Sequence, residues 1–436
     1  MRDESPHKLP IVGDENEEGL LRREMLQLLG AGLALAACEP SRGQILPYVR
    51  QPREVVPGKA QIYATTLTER GIAWGVLVRT QVGRPVKADG NPDHPTTLGG
   101  GSTPQLQASI YDLYDPARGR GIRRGDATIP WSTLYRTLRE LPPRGRGLHL
   151  LLEPTSSPLL VTQIERLRQA LPEAQVHFFD PCAGGGEEEA LRQAFGAPRR
   201  LRLRLDRAWS IACFDADFAG APPERIRYAR DFAQRRRVLR PEDRMNRLWV
   251  AEGDLTVTGA SADERMRARP SAIPSLLASL VAEIARLAGA PAFDGPPASS
   301  WIRRAARDLW DNRGASAVLV GERQPPEAHL CGLLANHLLG NLGRTVEVTE
   351  PVLFEQGEPS HDLRPLVRAL ERGTVHTLLV LGGDPVQTAP PDLGLAAAFS
   401  RARRIFYLGL HPNRTARLAD YYVAALHPFE AWGDAR

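Results

Sequence analysis

Eight short apolar runs, spaced by segments of helical periodicity, constrain this chain more than any other feature. They are GLHLLLE (147–153), QVHFF (175–179), WSIACFD (209–215), NRLWVAE (246–252), SAVLVG (316–321), HTLLVLG (376–382), RIFYLGL (404–410) and DYYVAAL (420–426). Between several of them lie helical patterns such as SPLLVTQIERLRQAL, PSLLASLVAEIARLAG and PEAHLCGLLANHLLG. Strands buried on both faces read as unbroken apolar runs, and parallel strands need a crossover helix between them. The pattern therefore predicts an α/β fold with parallel sheets covered by helices in two Rossmann-like units. The expected boundaries are 126–290 and 301–436. The Pro/Gly/Ala-rich segment APAFDGPPASSW (290–301) reads as the linker between them.

Residues 38–125 read differently. Pro47, Pro52 and Pro57 mark 41–60 as an extended arm. IYATTL and WGVLVRTQVGRPVKADG then give a small β-rich unit, a hairpin with its turn at Gly83-Arg84-Pro85. GNPDHP (90–95) reads as a tight turn. Residues 1–37 form a polar leader and an export signal. Arg22 and Arg23 precede a 13-residue apolar run from Met25 to Ala37, too short to span a bilayer, which takes about 20 residues. This is the three-part form of a secretory signal, and the arginine pair fits the twin-arginine route. Leu35-Ala36-Ala37-Cys38 resembles a lipobox, which would make Cys38 the lipidated residue. The competing reading is a short buried helix. No other segment approaches a membrane-spanning length. The expected location is the periplasmic face of the cytoplasmic membrane, with a lipid anchor at Cys38.

The net charge of +5 does not signal a nucleic-acid partner. Of 56 basic residues only Lys8, Lys59 and Lys87 are lysine, and that skew follows genome composition. RRLRLRLDR (199–207) alternates Arg with Leu as an amphipathic edge strand would. The four cysteines, Cys38, Cys182, Cys213 and Cys331, share no CxxC spacing. Iron–sulfur and structural zinc sites need clustered thiolates, so no metal ligand is assigned. Cys213, inside SIACF, reads as a buried free thiol. A bridge between Cys182 and Cys331 has no support in the sequence.

In open parallel sheets, ligands bind beyond the carboxyl ends of the strands. The loops there are EPTSSP (153–158), FDADFAG (214–220), GERQPPEAH (321–329), LGGDPVQTAPPD (381–392) and LGLHPNRTARLAD (408–420). They supply the candidate pocket residues Thr155, Ser156, Asp215, Asp217, Gly321, Arg323, Gly383, Asp384, Pro385 and Asn413. Gly, Ser, Asp and Pro are also what any strand-to-helix turn uses. His94, His329, His337, and the pair His427 and Glu430 are scattered. No HExxH, GxSxG or Walker motif appears, so no catalytic residue is assigned.

Several phrases together resemble one family. They are the twin-arginine segment, QILPYVRQPREVVPGK (44–59), VGRPVKADGNPDHPTTLG (82–99), QASIYDLYDPAR (107–118), FDADFAG, RYARDFAQRR (227–236), TVTGASADERMRARP (256–270), GERQPPEAH, LGNLGRT (339–345), GGDPVQTAP and EAWGDAR (430–436). From about residue 20 onward the chain resembles the molybdopterin oxidoreductase-like B subunit of alternative complex III. The resemblance implies a molybdopterin-oxidoreductase large-subunit-like fold, with GGDPVQTAP as the loop that touches a guanosine or pterin portion. It implies a cofactor-free domain beside a ferredoxin-like iron–sulfur domain that carries the electrons. It also implies partners: a multihaem cytochrome subunit and integral membrane quinol-oxidising subunits. The region after GNPDHP lacks the cysteine that many molybdenum enzymes place nearby. The family's cysteine quartets would lie beyond EAWGDAR or in a separate chain.

The leading reading is a non-catalytic scaffold portion of a quinol-oxidising respiratory complex. It expects no cofactor in this chain and iron–sulfur clusters in a following domain or partner. One alternative is an active bis-molybdopterin guanine dinucleotide oxidoreductase fragment. Another is a two-lobed solute-binding lipoprotein.

Overall fold

A computed structural model describes residues 55–436, apart from 57, 222–223 and 355–361. The leader 1–37, with Arg22 and Arg23, then Cys38 and most of the 41–60 arm, lie outside the described residues. The β-rich unit is a three-stranded antiparallel meander of β1 (Gln61–Glu69), β2 (Ile72–Gln81) and β3 (Arg84–Gly90). Val82 and Gly83 both take positive φ to make the tight β2–β3 turn. Trp74 on β2 is fully buried. The Arg225 guanidinium lies 5.1 Å above its ring and bonds to the Glu69 carboxylate at 2.8 Å, tying this sheet to a later helix. A short antiparallel pair follows, β4 (Ile122–Arg124) and β5 (Ala127–Ile129).

Each of the eight apolar runs is a strand. β6 (Leu148–Leu152) and β7 (Gln175–Phe178) come first. β8 (Arg200–Leu203), the Arg/Leu stretch, pairs antiparallel with a later strand, β13 (Val346–Thr349), in a two-stranded ladder. β9 (Ser210–Phe214), β10 (Arg247–Glu252), β11 (Glu264–Arg267) and β12 (Ser316–Val320) form a parallel sheet of order β11-β10-β9-β12. β14 (Thr377–Leu381), β15 (Arg404–Gly409) and β16 (Tyr421–Ala424) return to the first strands. The resulting sheet has the order β5-β4-β16-β15-β14-β6-β7, parallel from β16 to β7.

Helices cover both faces, as parallel sheets require. On one face of the four-stranded sheet, the helices Ile273–Ala288, Ser300–Asp311 and Pro326–Leu338 bury Leu277, Leu280, Ile302 and Ala335 against Phe214 and Trp249. On the other, Tyr228 and Phe232 from the helix Arg225–Gln234 meet Ile211, Cys213 and Val250. In the larger sheet, Leu366 and Leu370 cover one face, and Ile164 with Leu160 the other.

The sheets are not divided along the chain at 290–301. β6 pairs with β14 and carries β7 on its other side, and β12 pairs with β9. The four-stranded sheet is built between the two visits to the seven-stranded one. The 290–299 segment is irregular but joins two helices of one core, so it is a loop over that core and not a linker between units. One stretch, Pro270–Ala288, does reach 19 residues of apolar helix. Its Ile273, Leu277, Leu280, Val281 and Ile284 fill the core beneath the four-stranded sheet. Cys182, Cys213 and Cys331 are all free thiols, and Cys213 is fully buried.

Candidate functional site

The carboxyl ends of the two parallel sheets face one crevice, and Arg70 marks where they meet. It stands in the β1–β2 turn. Its Nε bonds to Asp180, just past β7, at 2.8 Å, and its Nη1 to Glu322, just past β12, at 3.0 Å. Gly184 lies so close to the Glu322 carbonyl that a Cβ there would come within 1.8 Å of it. This close backbone approach is what the Gly184-Gly185-Gly186 cluster serves. A cavity of about 160 Å³ opens beside it, lined by Arg70, Asp180, Glu187, Arg200 and Glu322 among others. Burial pushes the Glu187 carboxyl up to about 7, against the pull of Arg200.

On the seven-stranded side, Gly382 and Gly383 follow β14 with positive φ. The Gly383 carbonyl accepts from the Tyr407 hydroxyl at 2.7 Å and from Asn413 Nδ2 at 3.2 Å. Glu153, after β6, accepts the Gly383 amide. Solvent reaches Glu153, yet protein surrounds it in the crevice. That setting raises its carboxyl pKa, and Asp180 adds repulsion. Asp384 accepts from the Arg414 amide (3.2 Å), the Thr415 amide (3.0 Å) and the Thr415 hydroxyl (2.5 Å). Pro385 is buried and starts the next turn. Gly383 and Asn413 thus meet at the Tyr407 hydroxyl, and Asp384 holds the turn that follows Asn413.

Thr155 and Ser156 do not join them. Both are buried. The Thr155 hydroxyl accepts the Ser157 amide at 3.1 Å. The Ser156 hydroxyl donates to the Gly71 carbonyl at 2.6 Å and accepts the Arg436 amide at 2.9 Å. The Thr155 hydroxyl braces its own turn, and the Ser156 hydroxyl ties that turn to the backbone of Gly71 and Arg436.

On the four-stranded side, Asp215 follows β9 at φ 56 and accepts from Gln324 Nε2 at 2.8 Å. Gly321 touches the Asp215 carbonyl, where a Cβ would clash at 1.9 Å. Asp217 accepts from the Thr258 amide (3.0 Å) and hydroxyl (2.7 Å). Arg323 is exposed. The sequence reading missed Glu252, which is almost fully buried and bonds Thr256 at 2.7 Å and Arg265 at 2.6 Å. It also missed Glu153, Asp180, Tyr407 and Arg70. Glu153 ends an apolar run and Asp180 follows one, so both are reachable by that rule; Tyr407 lies inside a run, and nothing in the sequence marks Arg70.

No protein-family model matches this chain, and no curated protein matches it. Among solved structures, acetylene hydratase from Pelobacter acetylenicus matches with a TM-score of 0.57 at 10% identity. That match covers 84% of this chain and 61% of the other, so this chain spans about three fifths of that enzyme's length. A formyltransferase/hydrolase complex from Methylorubrum extorquens, solved with methylofuran, matches with a TM-score of 0.47 at 14% identity over 71% of this chain and 87% of that one. At such identities the likeness is one of fold alone. The chain has the expected α/β fold, with parallel sheets covered by helices, and shares it with acetylene hydratase.

The molybdopterin guanine dinucleotide that the sequence resemblance implies would carry a pyrophosphate, a group that binds to free backbone amides and cations. Here the chain's own carboxylates already hold the suitable amides: Glu153 at Gly383, Asp384 at Arg414 and Thr415, and Asp217 at Thr258. Asp180 and Glu322 add negative charge where the sheets meet, and Arg70 is committed to both. These four amides are therefore not open to a dinucleotide's phosphates. Among the described residues, no group of three or more His, Cys, Asp or Glu could hold a metal ion.

Proposed function

We propose that this chain is a non-catalytic, molybdopterin-oxidoreductase-like scaffold within an exported quinol-oxidising respiratory complex. Electrons pass through iron–sulfur clusters in a ferredoxin-like domain or partner, not through this chain. Its partners in this reading are a multihaem cytochrome subunit and integral membrane subunits, with Cys38 as a lipid anchor. The observation that supports the reading is that the chain's own carboxylates hold the turn amides of Gly383, Arg414, Thr415 and Thr258.

The test is metal analysis of the protein purified from a host that makes molybdopterin cofactors. The expected result is no molybdenum, with the chain co-purifying with haem-bearing and iron–sulfur subunits. Stoichiometric molybdenum would overturn the proposal in favour of an active oxidoreductase fragment. A stable monomer that binds a small solute without any complex would overturn it in favour of a binding protein. Replacing Arg22 and Arg23 by Lys is expected to hold the protein in the cytoplasm; unchanged export would remove the twin-arginine part of the reading.

A further inference from the structure

Away from the crevice, the loop 235–246 between the helix Arg225–Gln234 and β10 presents an uncommon surface. Residues 235–247 carry six arginines against Glu242 and Asp243. Among them stand exposed apolar side chains: Leu239 at 71%, Val238 at 48% and Met245 at 45%. The loop is braced, not slack. Asp243 accepts the amides of Leu239 (2.9 Å) and Arg240 (3.0 Å). Arg235 and Arg244 lie over the Trp209 ring at 4.1 and 4.8 Å. Arg236 forks onto Asp263 at 2.7 and 2.6 Å and touches Met245 Sδ at 3.7 Å.

Arg236 also joins this loop to a groove of about 470 Å³ lined by Phe218, Ala219, Phe232, Val257 and Thr258. Leu255 and Val257 stand exposed on the loop beside it. The loop and the groove share Arg236, and together they make the candidate face.

We infer that this face rests on an anionic phospholipid bilayer. The order Arg237-Val238-Leu239-Arg240 sets two exposed apolar tips between two exposed arginines. That suits the boundary where phosphates meet acyl chains. A partner helix would instead call for an apolar stripe set apart from a charged rim. Arg237 is exposed, and Arg240, though paired with Asp243 at 3.1 Å, keeps 70% of its side chain exposed, so phosphate oxygens can reach both guanidinium groups. The inference goes beyond the scaffold reading, because it needs no partner subunit.

The test is co-sedimentation of the full chain carrying Cys38→Ala, so that no acyl anchor contributes. The probes are vesicles of phosphatidylcholine with phosphatidylglycerol, against phosphatidylcholine alone. The apolar leader is common to every variant and cancels in the comparison. Val238→Ser with Leu239→Ser is expected to lower partitioning about tenfold. Arg237→Gln with Arg240→Gln is expected to lower it about fivefold per arginine, on the anionic vesicles only, and added salt to do the same. All four side chains are exposed, and an unchanged melting temperature confirms that the variants fold. Equal partitioning of variants and parent, or indifference to phosphatidylglycerol, overturns the inference. If the substitutions spare vesicle binding but release the chain from a co-purified subunit, the face is a protein interface and the lipid assignment falls. Either failure leaves the metal analysis above unaffected.

Discussion

His149 and His177 sit on neighbouring strands with their rings nearly parallel, 5.3 Å apart, and a 3.0 Å contact between Nδ1 of one and Nε2 of the other. Burial pushes His177 down to about 4, and His329 likewise. Both are neutral in the folded protein at pH 7. Unfolded, each takes up a proton near pH 6.5. Between about pH 6.5 and 4 the unfolded chain therefore binds more protons. Stability falls on acidification through that window, by about 1.4 kcal/mol per pH unit for each histidine. Glu187, pushed up to about 7, acts in the opposite sense, since its folded form keeps a proton that the unfolded carboxyl releases. The stability lost between pH 7 and pH 5 is thus expected to be about 2 kcal/mol smaller in His177→Leu than in the parent. Urea titrations at the two pH values measure this, and equal losses would show that His177 titrates normally in the fold. Sequence reading could not reach such a pair: HLLLE and QVHFF each show one histidine in an apolar run, and only the β6–β7 register brings them together.

β12 is an edge strand, and its outer side is closed by a side chain. Asn336, buried on the helix Pro326–Leu338, accepts the Val318 amide at 3.0 Å and donates to the Val318 carbonyl at 2.8 Å. It thereby fills the place of a neighbouring strand, whose absence would leave polar groups open to other chains. Asn336 also accepts from Asn341 Nδ2 at 2.9 Å, and Asn341 Oδ1 in turn accepts from the Ser316 hydroxyl at 3.1 Å. Asn336→Ala leaves two buried backbone groups unsatisfied and is expected to cost about 2–4 kcal/mol. Chemical denaturation checks it; a loss below about 0.5 kcal/mol, the range of ordinary surface substitutions, would show that water replaces the amide. At this scale the sequence was legible where one physical rule dominates. Continuous apolar runs became buried parallel strands, and alternating Arg and Leu became a half-buried β8. It was not legible where a polar residue serves the backbone, because PEAHLCGLLANHLLG shows Asn336 only as an interruption of an apolar helix. It also misled at 290–301, where Pro and Gly mark an irregular path but do not say whether one core or two lie on either side.

Three sheets converge on Arg70, a residue outside both parallel sheets and without any motif. From the β1–β2 turn it reaches Asp180 behind the seven-stranded sheet and Glu322 behind the four-stranded one. Its side chain is largely buried and Asp180 more so, so each charge depends on the other for solvation. Removing one partner of such a pair strands the other, which costs more than the pair contributes. Arg70→Met is therefore expected to destabilise the protein by about 3 kcal/mol, and the double variant Arg70→Met with Asp180→Asn by clearly less than the two single losses combined. Because Arg70 joins the edges of one crevice, its loss is also expected to raise proteolytic cleavage at the loops 180–186 and 321–325 under native conditions. A double-mutant cycle by denaturation and limited proteolysis of the same variants read both effects. Additive losses with unchanged cleavage would mean that the sheets are held by apolar packing alone. The opposite result fits edges held together by charges internal to the chain, Arg70 with Asp180 and Glu322.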